Sequence, residues 1–87
     1  MDALSFTNKA WEEYLEWAIT NKRIIDRINA LIKDIQRNGF MSGIGKPEAL
    51  RGSKNYSRRI NEEHRLIYTG DEKQNLLIVS CKGHYGY

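Results

Sequence analysis

The sequence has very little cysteine or proline and no long apolar run. Cys81 is the only cysteine among the 87 residues, which excludes a disulfide within the chain and a cysteine-based metal cage. No apolar stretch approaches the ~20 residues needed to cross a bilayer, and Asp2 stands where a signal peptide would carry basic residues. These absences predict a cytoplasmic domain that is stabilised by packing alone and has no membrane partner.

Length and charge predict one domain with a basic second half. A chain of 87 residues is long enough for one hydrophobic core and too short for two. Residues 1–40 contain six basic and six acidic side chains, whereas residues 41–87 contain eight and five, so the net charge of +3 comes entirely from the second half. We therefore expect a polyanion to dock on that half.

The apolar periodicity of the first half predicts a short strand and two helices. Residues 3–6 are largely apolar and precede Thr7, a good N-cap for a helix at residues 8–19. A second helix follows at residues 21–38, where isoleucine and leucine recur at helical spacing until Gly39 supplies a stop. The core face of the first helix is predicted to consist of Trp11, Tyr14, Leu15 and Ala18, with Trp17 near its edge.

The second half predicts three antiparallel strands, which are rich in aromatic and branched side chains and separated by turn-length gaps. They are residues 56–60, 65–69 and 75–81. Before them, the glycines of residues 40–45 and the turn-forming Pro47 predict a surface loop that leaves Glu48 accessible. The predicted fold class is α+β, with a single domain over residues 1–87: a first strand, a helix hairpin, and then an antiparallel three-stranded meander packed under the helices.

Several polar side chains of the second half have the chemistry needed to cut RNA without a metal. Such a reaction requires a base for the ribose 2′-hydroxyl, a cation for the charged phosphorane and an acid for the departing 5′-oxygen. Glu48 lies among cations that keep a carboxylate ionised and ready to accept a proton, although Lys46 or Arg51 offers it an ordinary salt bridge. Arg65 offers a guanidinium fork for two phosphate oxygens, although a surface arginine paired with Glu63 is the commoner arrangement.

His84 and Tyr85 follow the last predicted strand and are placed to fold back over the open side of the sheet. An imidazole exchanges protons near neutral pH and a phenol stacks on a base, although a histidine near a chain end is more often merely solvated. His64 should point to the opposite face from Arg65 and is interpreted as structural. Two isolated histidines make a poor zinc site, so we predict no metal and no cofactor, and Cys81 is interpreted as a small buried apolar side chain.

Five further basic residues are candidates for contact with RNA. They are Lys46, Arg51, Lys54, Arg58 and Arg59. Because side chains alternate along a strand, Arg58 and Arg59 should face opposite sides of the sheet. At most one of these two arginines can therefore line a single groove.

Three segments of the chain closely resemble the YoeB (Txe) toxins of the RelE/ParE superfamily. They are residues 43–50 (GIGKPEAL), residues 56–68 (YSRRINEEHRLIY) and His84-Tyr85. Residues 28–35 (INALIKDI) of the second helix are also similar to theirs, so the resemblance spans nearly the whole chain. It implies a RelE-like fold and the toxin of a type II toxin–antitoxin pair, which enters the ribosomal A site and cleaves the mRNA codon there.

The resemblance also implies roles for individual residues, carried over by motif position. It implies Glu48 as general base, His84 as general acid, Arg65 as the stabiliser of the phosphorane and Tyr85 as the residue that orients the scissile nucleotide. The chain departs from the family at Arg51, where lysine is frequent, and at Tyr56, where tryptophan is frequent. Many members end at the His-Tyr pair, whereas this chain continues with Gly86-Tyr87.

The partners implied by the resemblance are the ribosome, mRNA and a YefM-type antitoxin. The acidic C-terminal segment of that antitoxin would cover the basic groove and displace His84-Tyr85 from its productive position. A homodimer is compatible with the resemblance, and promoter DNA is expected to be bound only within the antitoxin complex. The alternative is a non-enzymatic binder of the same fold, such as a gyrase-inhibiting toxin, but the presence of Glu48, Arg65 and His84-Tyr85 together favours the nuclease.

Overall fold

The structure, a computed structural model, describes residues 3–84. Its elements in chain order are β1 (Leu4–Phe6), α1 (Asn8–Thr20), α2 (Lys22–Asn38), β2 (Glu48–Ala49), β3 (Tyr56–Arg59), β4 (Arg65–Gly70) and β5 (Leu76–Ser80). The predicted α+β class is confirmed, with a first strand, a helix hairpin and an antiparallel meander under the helices. Neither helix within the described range is long and apolar enough to span a membrane.

Side chains cap both helices, and Thr7 is the cap that the sequence predicts. The Thr7 hydroxyl accepts a hydrogen bond from the Ala10 N–H at 3.0 Å, and the Asn21 side chain accepts one from the Ile24 N–H at 3.2 Å. Each cap satisfies a helix N–H that has no partner inside the helix. Gly39 follows α2 with a φ of 90°, a conformation that glycine adopts without steric cost, and it ends the helix.

All five strands form one sheet in the order β1-β5-β4-β3-β2. Strands β3, β4 and β5 pair antiparallel, as their short connections predict. Strand β1 pairs parallel to β5, and the helix hairpin carries the chain from β1 to β2 at the opposite edge of the sheet. Strand β2 pairs antiparallel with β3 and lies where the sequence analysis expected only a loop. Two residues after a glycine-rich segment are too few to give a recognisable alternation.

One face of the sheet packs under the helices. The inward-facing residues of α2 are Ile24, Ile25, Ile28, Leu31, Ile32 and Ile35. From β4 and β5 they meet Leu66, Tyr68, Leu76 and Ile78, which are all 0% exposed. Burial of this apolar layer is the main force that stabilises the domain.

Helix α1 buries a different face from the one predicted. Of the four residues expected in the core, only Tyr14 is partly buried, and the other three are exposed. The buried residues are instead Ala10 and Trp17. The predicted spacing was right, but its phase was wrong by one residue, which is about 100° of helix rotation. The cause is a polar contact: the Trp17 indole N–H donates to the Cys81 carbonyl at 2.9 Å, and a buried indole needs such a partner.

Candidate functional site

The face of the sheet opposite the helices, here called the outer face, carries three of the residues predicted for function. Directly opposed residues of antiparallel strands project to the same face, and here the opposed pairs are Glu48 with Ser57 and Arg59 with Arg65. Arg58 points into the core, so its neighbours Ser57 and Arg59 point outward. Glu48, Arg59 and Arg65 therefore share the outer face. The Glu48–Ser57 pair and the Arg59–Arg65 pair lie two residues, or about 7 Å, apart along β3.

Arg65 is fixed on this face by neutral partners. Its Nη1 donates to the carbonyls of Asn61 at 2.6 Å and His64 at 3.2 Å, and the residue is only 8% exposed. The predicted alternative, an ion pair with Glu63, is not among the ion pairs found within residues 3–84. Carbonyl groups orient a guanidinium without cancelling its charge. With Arg59 directly opposite, two like charges stand side by side, an arrangement that a bound anion would stabilise.

The C-terminal end of the described chain lies beside Arg65. The Arg65 N–H donates to the Gly83 carbonyl at 2.9 Å, and the Gly83 N–H donates to Nδ1 of His64 at 2.8 Å. His84, the next residue, is exposed. The backbone of His84, the predicted general acid, therefore begins next to strand β4, which carries Arg65. Tyr85, the fourth predicted catalytic residue, lies outside the described residues.

Arg58 does not lie on the outer face, and the prediction that it contacts RNA is wrong. Its side chain is fully buried. The acceptors of its hydrogen bonds, at 2.6–3.0 Å, are the Asp34 carboxylate, the Tyr68 hydroxyl and the carbonyls of Gly39, Ser42 and Ile44. A guanidinium has five N–H donors, so this set of partners uses them all. A buried charge is tolerated only when it is paired and hydrogen-bonded in this way.

The Arg58 contacts fix the loop that leads to Glu48. Three of the acceptors belong to residues 39–44, and Asp34 also accepts the N–H of Ile44 at 3.0 Å. The loop passes so close to α2 that a Cβ on Gly43 would lie 1.8 Å from Oδ2 of Asp34. Sequence reasoning missed Asp34, because no local pattern links a carboxylate on a helix to an arginine on a distant strand.

The four other predicted RNA-binding residues are all exposed. They are Lys46, Arg51, Lys54 and Arg59. Glu48 is also exposed, at the first residue of β2, as the turn at Pro47 predicts. A carboxylate, exposed cations and a fixed arginine can together bind a phosphodiester and accept a proton from a neighbouring hydroxyl.

His64 and Cys81 have the structural roles that the sequence analysis expected. His64 accepts the Gly83 N–H and makes an edge-on contact with the ring of Trp17, with centroids 4.9 Å apart. Cys81 is fully buried, and burial raises the pKa of its thiol to about 12, so it is not a nucleophile near neutral pH. Within residues 3–84, no group of three or more His, Cys, Asp or Glu residues is arranged to hold a metal ion.

Comparison with known proteins finds relatives that extend over almost the whole chain. Residues 6–85 match the family model of the YoeB-like toxin of bacterial type II toxin-antitoxin system. Toxin YoeB of Synechocystis sp. is 48% identical over 84 residues, which cover 94% of this chain and 95% of the relative. Toxin YoeB of Escherichia coli strain K12 is 46% identical over 94% of this chain and 98% of its own length.

Solved structures of YoeB toxins are also similar to this chain in both fold and sequence. A YoeB-YefM complex from Staphylococcus aureus contains a chain that is 47% identical and has a TM-score of 0.87, with 95% of this chain and 97% of that chain covered. A YoeB dimer from the same organism has a TM-score of 0.87 at 46% identity, with 94% and 95% covered. A chain of the Escherichia coli DinJ-YafQ complex has a TM-score of 0.78 at only 13% identity, which shows a common fold alone.

Replacing Arg58 with methionine should strongly destabilise the fold. The substitution leaves Asp34 and three loop carbonyls without their partner, and removal of one member of a buried ion pair typically costs about 3–5 kcal/mol. Arg59→Met is the matched control, because Arg59 is the next residue in the chain and its side chain is exposed. This substitution should change the free energy of unfolding by less than about 0.5 kcal/mol. Urea denaturation measures both, and equal effects of the two substitutions would contradict the assigned role of Arg58.

The contribution of Asp34 to stability should depend on pH in the acid range. The Arg58 guanidinium holds the pKa of the Asp34 carboxyl below its usual value of 3.8, so the folded state favours the ionised form. The resulting stabilisation is fully present well above pH 3.8 and is lost as the pH falls from there through the lowered pKa. In urea denaturation at several pH values, the wild type should exceed Asp34→Asn in stability near pH 7, and the difference should shrink below about pH 4. A difference that stays constant down to pH 2 would refute this coupling.

Proposed function

This chain belongs to the family of YoeB-like toxins of bacterial type II toxin–antitoxin systems, and we propose that it is a metal-free endoribonuclease that cleaves mRNA in the ribosomal A site. The observation that carries the proposal is the shared outer face of Glu48 and Arg65, with the backbone of Gly83 bringing His84 alongside. A carboxylate, a fixed arginine and an imidazole are the groups that metal-free cleavage requires. A ribosomal target also makes this a cytoplasmic protein.

In the proposed reaction, Glu48 removes the proton of the ribose 2′-hydroxyl while the 2′-oxygen attacks the phosphorus. Arg65 stabilises the negative charge that develops on the phosphorane oxygens, because a cationic guanidinium can donate two parallel hydrogen bonds to them. His84 gives a proton to the 5′-oxygen as the bond between phosphorus and that oxygen breaks. The products are a 2′,3′-cyclic phosphate on one fragment and a 5′-hydroxyl on the other.

Other residues are proposed to bind and orient the RNA. Tyr85 would stack on the base of the scissile nucleotide and so align the 2′-oxygen with the phosphorus. The phosphates of mRNA or ribosomal RNA would contact Lys46, Arg51, Lys54 and Arg59. Their exposure and the net charge of +3 support this assignment. Arg58 is excluded from the set because it is buried.

The proposed inhibitor is a YefM-type antitoxin, since YoeB of Staphylococcus aureus has been solved in a YoeB-YefM complex. An acidic C-terminal segment of the antitoxin would bind the cations of the outer face and displace His84-Tyr85. A homodimer is a second proposed assembly, because the related toxin from the same organism has been solved as a dimer. Promoter DNA would be bound only through the antitoxin.

Glu48→Gln and His84→Gln should each lower the rate of mRNA cleavage on translating ribosomes by about 10²- to 10⁴-fold, because each removes a proton-transfer group. Glu72→Gln, the same change at an exposed position in the turn between β4 and β5, serves as the matched control and should cut at the wild-type rate. Primer extension on the mRNA measures the rate. If the Glu48→Gln/His84→Gln double variant cuts mRNA at the wild-type rate, the mechanism is refuted. If the wild type inhibits gyrase and does not cleave mRNA, the alternative of a non-enzymatic, gyrase-inhibiting toxin is favoured.

Binding of the antitoxin should depend on ionic strength and on the outer-face cations. We expect Arg59→Glu to weaken the affinity for a peptide with the acidic C-terminal sequence of a YefM-type antitoxin roughly tenfold in low salt. Lys73→Glu, the same charge reversal in the exposed turn after β4, should leave the affinity unchanged. Calorimetric titration at low and high salt measures both. If the two variants bind equally well, the acidic segment does not occupy the outer face.

A further inference from the structure

The short segment between β5 and His84 is held by side chains from elsewhere in the chain. At Cys81, the first residue after β5, the N–H donates to the Glu13 carboxylate at 2.8 Å and the carbonyl accepts the Trp17 indole N–H at 2.9 Å. Both partners lie on α1. The next residue, Lys82, forms an ion pair with Glu16 of the same helix and lies over the Trp17 ring, 5.4 Å from its centroid.

Gly83 is fixed from the other side. Its N–H donates to Nδ1 of His64 at 2.8 Å, and its carbonyl accepts the N–H of Arg65 at 2.9 Å. Its φ of +84° lies in the left-handed region that favours glycine, so the chain turns here. The backbone N–H and C=O groups of both Cys81 and Gly83 are therefore all bonded, although strand β5 has ended at Ser80.

Residues beyond the last strand of a domain are usually poorly ordered unless something ties them down. Here the hydrogen bonds come from three side chains that have no role in the proposed reaction: Glu13, Trp17 and His64. Trp17 and His64 also contact each other edge-on, so the contacts from α1 and those from the β3–β4 loop form one continuous support. The register pairs of β5 with β4 end at Ser80, so these side chains hold a segment that lies beyond the strand.

We propose that Glu13, Trp17 and His64 are positioning residues that hold the backbone of residues 81–83 and thereby place the imidazole of His84 over the outer face. The proposal rests on the proposed function. The Cα atom of His84 is only about 3.8 Å from that of Gly83, so an error in the placement of Gly83 passes directly to the imidazole. Displacing a catalytic group by about 1 Å can cost on the order of a hundredfold in rate.

The test compares His64→Leu with His64→Asn. Both substitutions remove the ring that contacts Trp17, but the amide oxygen of asparagine can occupy the place of Nδ1 and accept the Gly83 N–H, whereas leucine cannot. We expect His64→Leu to lower the single-turnover rate of mRNA cleavage at saturating toxin by about 10- to 100-fold. The toxin concentration that gives half the maximal rate should not change, and His64→Asn should recover most of the loss.

A second readout reports the position of the backbone directly. Hydrogen exchange at the Gly83 amide should speed up in His64→Leu and stay slow in His64→Asn. Tyr14→Phe is the control: it deletes a 2.6 Å hydrogen bond between α1 and Asn29 of α2, away from residues 81–83, and should affect neither readout. Glu13→Leu and Glu13→Gln repeat the comparison at Cys81, because only glutamine keeps an acceptor oxygen.

The proposal is overturned if His64→Leu cuts at the wild-type rate, if leucine and asparagine lower the rate equally, or if the Gly83 amide exchanges at an unchanged rate. Each of these results leaves cleavage by the wild type intact. If the wild type itself does not cut mRNA on ribosomes, the proposed function has failed and the positioning role falls with it. The behaviour of the wild type thus separates the two failures.

Discussion

The guanidinium of Arg58 lies where helix α2, strand β3 and the glycine-containing loop meet. A buried charge of this kind is costly unless every donor is satisfied. Asp34 supplies the countercharge, Tyr68 supplies a hydroxyl and the loop supplies three carbonyls. The loop must therefore fold around Arg58 to offset the free energy of burying its charge. The path of the loop in turn determines where β2 begins, and with it the position of Glu48.

The outer face depends on what lies beneath and beside it. Three separated parts of the chain reach it: the start of β2, the opposed ends of β3 and β4, and the residues after β5. Two of these parts are held by buried or partly buried polar contacts, through Arg58 for the first and through Glu13, Trp17 and His64 for the last. The side chains of Glu48 and His84 can therefore remain exposed while their backbones are held in place, as a preorganised site requires.

Much of the fold follows from local patterns, and the exceptions have a common physical cause. Runs of aromatic and branched residues separated by short polar gaps predicted the three-stranded meander. The helical spacing of apolar residues, with a capping residue and a terminal glycine, predicted the helices. Alternation also indicated that Arg58 and Arg59 face opposite ways, but which one turns inward depends on Asp34, 24 positions earlier in the chain. The phase of α1 likewise depends on the contact of Trp17 with Cys81, 64 positions later. The two-residue strand β2 forms only because β3 offers it a partner. Contacts between distant residues leave no periodic signal in the sequence.

The chemistry of the RNA ends tests the central claim most directly, namely that the outer face activates the 2′-hydroxyl of the substrate itself. Messenger RNA cut by the protein on ribosomes can be analysed for its terminal groups by mass spectrometry. Attack by the 2′-oxygen, with His84 protonating the leaving 5′-oxygen, predicts a 2′,3′-cyclic phosphate and a 5′-hydroxyl. Fragments that carry a 3′-hydroxyl and a 5′-phosphate would show that water was the nucleophile, and would contradict the roles assigned to Glu48 and His84.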